Sequence, residues 1–353
     1  SEDRAMWASS DYYNGVPAWV RPFNHRIGTR FDWNNVEWEP YYPTGVYSYS
    51  VYDGMPKAFR HTFRGGDADA VRRYKTSACV NDEVTQMAQA CIAGSLFGRN
   101  KTTDMLCVGY YAGNYDHRPV SALPMEMQDT YVRLDANLAE LLDIIDRKVG
   151  LSNTLFYITS TGYTDAEPLD HTKYRIPTGE FHIKRCAALL NLYLAAIYGE
   201  GQYVEASHEQ EIYLNHKLIE QKHLNLTEVL ERSSDFLVQF SGVKDVYSSH
   251  RIMLGSWTPD LDKVKNRYNK SCSGDLWVEV LPGWTILRDH SLDTKVVRNI
   301  YTSAPFILMG WSVRPEIIYL PIQIGHIAPT LAHFMRIRAP NAAALPPLAG
   351  VRK

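Results

Sequence analysis

Two short polar clusters are the places where this chain could do chemistry. The first is Asn114-Tyr115-Asp116-His117-Arg118. The second is Ser160-Thr161-Gly162, continuing to Asp165, with His171 on the same loop. Carboxylates and imidazoles are the usual protein ligands of a divalent metal. A guanidinium does the opposite. It repels cations, and its planar fork pairs with oxyanions through parallel hydrogen bonds. Arg118 and its neighbour His117 therefore mark the first cluster as a candidate anion-binding site. Asp165 and His171 could bind a metal, but loop residues of this kind are more commonly just solvated.

Each cluster follows an apolar run. Met105 to Tyr111 is continuous and closes on Ala112-Gly113-Asn114. Such a run predicts a strand buried on both faces. Thr154 to Thr159 predicts a second strand. Between them Tyr131, Leu134, Leu138, Leu141, Leu142 and Ile145 recur at helical spacing, and Gly150 ends the helix. Strand, helix and strand make a βαβ unit, which feeds a parallel sheet. Ligands of open α/β sheets sit beyond the carboxyl ends of the strands. That rule puts residues 113–118 and 160–165 at the ligand-binding edge.

The rest of the chain divides by pattern. Residues 1–80 form an aromatic-rich cap or loop layer without sustained periodicity. Residues 81–174 are the core αβαβ segment, led by a helix over 82–97. Residues 175–270 read as an α+β insert. It comprises an apolar helix over 181–198, paired strands at 203–206 and 210–214, a helix over 228–240 capped by Thr227, and a strand at 243–248. Residues 271–353 close the core with a hairpin around Pro282-Gly283, a buried strand at 304–309 and a helix over 327–335.

Composition narrows the function classes. The chain has 353 residues and a formal charge of −2, which gives no electrostatic reason to expect nucleic acid. No apolar run reaches the length of a membrane span, and the opening residues do not read as a signal peptide. The abrupt opening at Ser1 reads as a chain without its natural beginning. Five cysteines form no C-x-x-C pair, so a zinc ribbon is excluded. His208, His216 and His223 lack metalloprotease spacing, and Arg64-Gly65-Gly66-Asp67 is a turn rather than a phosphate loop.

Several segments together resemble the alkaline phosphatase superfamily, and within it the secreted bacterial phosphate-irrepressible type. DYYNGVPAWVRPFN, the whole of TDMLCVGYYAGNYDHRP with its helix and NTLFYITSTG, EIYLNHKLIEQKHLNL, GDLWVEVLPGW, SAPFILMGW and GHIAPTLAHFMRIRAPN all carry it. The resemblance implies an α/β fold, a mixed sheet sandwiched by helices with an α+β insert. It also implies phosphate-ester hydrolysis by two zinc ions and a Thr or Ser nucleophile, and a periplasmic or cell-surface location.

The residues this resemblance needs are changed. Its first strand ends in Asp-x3-His; counting back from Asp129-Thr130-Tyr131 places those ligands at Asn114 and Arg118. No shift repairs the pattern, since Asp-x3-His from Asp116 lands on Val120. Its second strand ends in Thr-Ala-Asp-His-Gly, where this chain has Thr159-Ser160-Thr161-Gly162-Tyr163. No His lies between Asp293 and Pro305, where a third is usual, and the nucleophile segment is absent. Asn114, Arg118, Thr161 and Gly162 are thus degenerate metal-site positions. The expectation is a pseudophosphatase with no catalytic residues and no metal cofactor. It would act as a binding or scaffolding subunit, with another protein as partner and an anion in the relic cleft. The alternative is a phosphomonoesterase or phosphodiesterase with a rebuilt metal site or a missing N-terminal half.

Overall fold

A computed structural model describes residues 14–22, 24–25, 36–47, 58–64, 69–118, 123–161, 176–256, 258–287, 294–297 and 303–351. The chain divides into two compact units, Ser1–Thr164 with Thr302–Lys353, and Asp165–Tyr301.

The first unit opens with β1 (Val36–Trp38), paired antiparallel with β2 (His61–Phe63). Trp38 and Phe63 point inward and are almost wholly buried. They form one cluster with Tyr74, Ala78, Cys79 and Tyr115. Trp38, Tyr47 and Phe63 of the aromatic layer are therefore core, whereas Tyr41 and Tyr42 stay about half exposed. Three helices follow: α1 (Ala70–Lys75), α2 (Val80–Gly94) and α3 (Pro124–Lys148). Pro124 stands in the first turn of α3, where its missing N–H costs nothing. Leu141 and Ile145 of α3 bury against Ala88 and Ile92 of α2. Tyr131, expected on that apolar stripe, is 53% exposed instead. The buried positions of α3 before Leu141 are mostly polar: Glu126, Asp129, Thr130 and Asn137. After α3 comes β3 (Leu155–Ile158).

The chain then enters the second unit. It begins with β4 (Glu180–Phe181) and α4 (Ile183–Tyr198), then β5 (Val204–His208) and β6 (Glu211–Leu214). Next come α5 (His216–Gln221), α6 (Leu226–Leu237) and β7 (Val243–Ser248). The unit closes with α7 (Ser249–Leu254), α8 (Pro259–Lys265), β8 (Leu276–Val280), β9 (Thr285–Leu287) and β10 (Thr294–Val296). A four-stranded sheet in the order β5-β6-β8-β7 carries its core. Alternation along β8 turns Leu276, Val278 and Val280 inward, against Leu190, Leu194, Ile212, Val229 and Leu237. Asn225, not Thr227, caps α6: its side chain accepts from the backbone N–H groups of Thr227 and Glu228. The competition is local, since either short polar side chain suits a cap.

The hairpin expected around Pro282-Gly283 is a corner instead. β8 pairs with β6 and β7, whereas β9 pairs antiparallel with β10 and parallel with β4. Leu281 donates its N–H to Gly242 O at 2.8 Å and Gly283 to Val297 O at 2.7 Å, so the two halves of the turn are claimed by different sheets. Residues 271–287 consequently belong to the second unit rather than to the closing core segment.

On its return the chain forms β11 (Ile307–Gly310) and α9 (Ile327–Met335). β11 pairs antiparallel with β3. Ile307 and Met309 are exposed rather than buried.

Candidate functional site

The first polar cluster is positioned by the extended segment 104–112. This segment forms no strand ladder, contrary to the expected βαβ unit. Its apolar residues alternate: Leu106, Val108 and Tyr110 lie under α2 and α3, while Met105, Cys107 and Gly109 face outward. It is covered on one face, not two. Asn81, wholly buried on α2, takes the place of a neighbouring strand. Its side chain donates to Tyr111 O and accepts from Tyr111 N, each at 2.8 Å.

The chain then turns sharply. Tyr111 donates its hydroxyl to Asn114 O at 2.6 Å. A side-chain carbon at Gly113 would meet that hydroxyl at 2.9 Å, so the Tyr111 ring would have to shift to admit one. A single 3-10 turn follows over Tyr115–His117, with Asp116 at φ 53° and His117 at φ 54°. Two successive residues with side chains in the left-handed region carry backbone strain. The surroundings hold them there. Tyr115 is buried against His61, Trp38 and Phe63, with ring centroids 4.4, 5.3 and 6.5 Å away. Asp116 donates its backbone N–H to Thr76 Oγ1 at 3.3 Å, and its carboxylate pairs with Arg72 of α1.

Arginines and aspartates meet at this turn. Burial pushes the Tyr115 phenol above its ordinary pKa, while Arg73, Arg118 and Arg72 all pull the other way and Asp116 adds to the rise. Burial also works against the Arg72 charge, but the Asp116 carboxylate outweighs it and holds that guanidinium above its usual value. Arg118 Nε lies 3.8 Å from Asp116 Oδ2, and the Arg118 side chain is 63% exposed.

The two predicted positions on this loop therefore differ: Asn114 is buried and Arg118 faces solvent. Thr161 is exposed just beyond β3, and Gly162 lies outside the described residues, as do Asp165 and His171. Among the described residues no three His, Cys, Asp or Glu side chains form a group that could hold a metal ion. The described donor set does not fit a two-zinc centre, and no catalytic step is derived through zinc.

Sequence reasoning missed a buried carboxylate network behind this loop. Asp129, fully buried, accepts from Trp38 Nε1, Tyr47 Oη, Tyr41 N and Arg133 Nε at 2.5 to 2.8 Å. Glu126 pairs with the ring of His61 at 2.9 Å. The apolar stripe gave no signal for it: Asp129 lies nine positions before Leu138, about two and a half turns, and so on the opposite side of α3.

Comparison with known proteins places these observations in a family context. The pattern of the type I phosphodiesterase / nucleotide pyrophosphatase family matches residues 1–303. The alkaline phosphatase PafA of Elizabethkingia meningoseptica is 26% identical over 97% of this chain and 65% of its own length. The alkaline phosphatase PhoV of Synechococcus elongatus is 22% identical over 95% of this chain and 62% of its own. A protein of Myroides odoratus named calcium-transporting ATPase is 25% identical over 95% and 64%. A crystal structure of wild-type PafA superposes with a TM-score of 0.73 at 25% identity, covering 97% of this chain and 68% of that one. The chain thus spans slightly less than two thirds of the length of the curated relatives it matches. The alkaline phosphatase-like α/β fold stands. The expectation of a chain without a metal cofactor is overturned, because the relatives it matches are alkaline phosphatases, the zinc-dependent enzymes of the resemblance drawn from the sequence.

Proposed function

The chain belongs to the type I phosphodiesterase / nucleotide pyrophosphatase family, within the alkaline phosphatase superfamily, and from that premise we propose that it is a binding or scaffolding member that does not itself turn over phosphate esters. The observation that carries this reading is the loop Asn114–Arg118. An amide and a guanidinium stand where the family resemblance calls for a carboxylate and an imidazole. The one carboxylate on the loop, Asp116, is committed to Arg72. A cation at Arg118 opposes a dication beside it, and an amide is a poor substitute for a carboxylate ligand. The partner is another protein, in a periplasmic or cell-surface setting. No helix among the described residues is long and apolar enough to cross a membrane.

The names of the relatives favour a second reading, a phosphomonoesterase or phosphodiesterase with a rebuilt site. Steady-state assays of the purified chain on an aryl phosphate and an aryl phosphodiester, with zinc supplied, separate the two. The binding reading expects no turnover above background. Zinc-dependent turnover abolished by Asn114→Ala would establish the enzyme instead.

A further inference from the structure

We infer that this chain self-associates by strand addition: the stretch Glu316–Leu320 of one copy pairs along the edge Met105–Tyr110 of another. The first observation is an unpaired backbone. Among the described residues, nothing bonds the backbone N–H and C=O groups of Met105 to Tyr110. β3 shares the cluster beneath them through Phe156 but exchanges no backbone bond with them. Open backbone groups along an extended segment are a template for another strand. Asn81 decides which edge is available, because it holds both backbone groups of Tyr111. In an extended chain those of Met105, Cys107 and Gly109 share the Asn81 edge, and those of Leu106, Val108 and Tyr110 point to the other. The receiving edge is the second.

The sequence also carries the occupant. Glu316 to Leu320 lies between Pro315 and Pro321, and its backbone too has no partner among the described residues. Prolines cannot donate to a ladder, so they limit the added strand to five residues, close to the six of the receiving segment. Ile317, Ile318, Tyr319 and Leu320 have a strand's composition, and all four are more than half exposed. Successive side chains of a strand point to opposite faces, so this one is uncovered on both. A strand beside 105–110 needs that character. Its inner face meets Leu106 and Val108, partly buried over α2 and α3, and its outer face meets Met105 and Cys107. Both segments belong to the first unit, and within one chain they are not paired with each other. Strand and edge are different surfaces, so the contact is heterologous and each copy can give and receive at once. It holds whether or not the chain turns over phosphate esters.

Sedimentation velocity of the intact chain from about 1 to about 100 μM tests this. The wild type should associate as its concentration rises. Ile318→Pro combined with Tyr319→Pro keeps the stretch largely apolar but removes a ladder donor on each edge of the strand. It should weaken association at least about tenfold. Val108→Pro removes a donor on the receiving edge and should do the same. An equimolar mixture of these two variants should form a heterodimer, because one keeps the edge and the other keeps the strand. Amide hydrogen exchange gives a reading that does not depend on the folding of Val108→Pro. Leu106, Val108 and Tyr110 should exchange more slowly in the concentrated wild type than in the equally concentrated double variant. A wild type that stays monomeric across the range overturns the inference. So does association that survives the two prolines, which would be plain adhesion of apolar surface, and so does equal exchange at the three amides.

Discussion

Trp38 donates its indole N–H to Asp129 across 91 positions of sequence, at 2.5 Å, and both side chains are fully buried. This bond and its companions from Tyr41, Tyr47 and Arg133 tie the aromatic segment 36–47 to α3. Asp129→Ala would leave four donors without their acceptor, one of them the Arg133 guanidinium. Breaking a buried pair by removing one partner costs about 3–5 kcal/mol. A urea melt should show a loss of that order, and a change under about 1 kcal/mol would mean that water replaces the carboxylate.

Tyr47 gives the same network a pH signature. Burial, and then the hydrogen bond to Asp129, push its phenol from an ordinary value of 10.0 up to about 12. The unfolded chain therefore loses this proton first as pH rises. The contribution is complete below pH 10 and is lost as pH climbs through about 12. Urea midpoints measured from pH 9 to 12 should fall less steeply in Tyr47→Phe than in the wild type. Parallel curves for the two proteins would show that Tyr47 does not titrate differently on folding.

Leu141 is 3% exposed between α2 and α3, whereas Leu138 is only half-buried. Leu141→Ala should cost about 2–5 kcal/mol, and Leu138→Ala distinctly less. Equal losses in denaturant melts would contradict the packing between the two helices.

Gly310 ends β11 at φ +104°, and a side-chain carbon there would fall 2.0 Å from Thr154 O. That carbonyl accepts from Trp311 N at 2.9 Å. Gly310→Ala should therefore separate the end of β11 from β3, at a cost of about 1–3 kcal/mol. Hydrogen exchange at the Trp311 amide reads it directly; unchanged protection would refute the close approach.

Ile317, Tyr319 and Leu320 are 76, 89 and 79% exposed in one short stretch. Apolar runs of this kind promote self-association. Tyr319→Ser with Leu320→Ser should lower the light scattering of concentrated protein. Identical scattering would show that the stretch is inert.

Patterns that depend on one element's own residues were legible in the sequence. The strand Val243–Ser248 and the helix Ile327–Met335 lie where alternation and helical spacing put them. What failed was pairing. The run 105–111 announces burial but not its hydrogen-bond partner, and here Asn81 stands in for a strand. Pro282-Gly283 announces a turn but not that Gly242 and Val297 compete for its two sides. At the site, the substitutions at Asn114 and Arg118 could be counted from the sequence. The ion-pair cluster could not, because Arg72 reaches Asp116 from a helix 44 positions earlier.

The parallel pairing of β4 with β9 also bears on the order of folding. It brings Gly179 O to Thr285 N at 2.9 Å, so the second unit closes its own ends once formed. Before that, joining β3 to β11 means closing a loop of roughly 150 residues; afterwards the remaining connection is roughly 40, an entropic saving of about 1 kcal/mol. The second unit thus acts as a staple inserted in the chain. A kinetic sequence follows in which its sheet forms early and the β3–β11 pair is completed late.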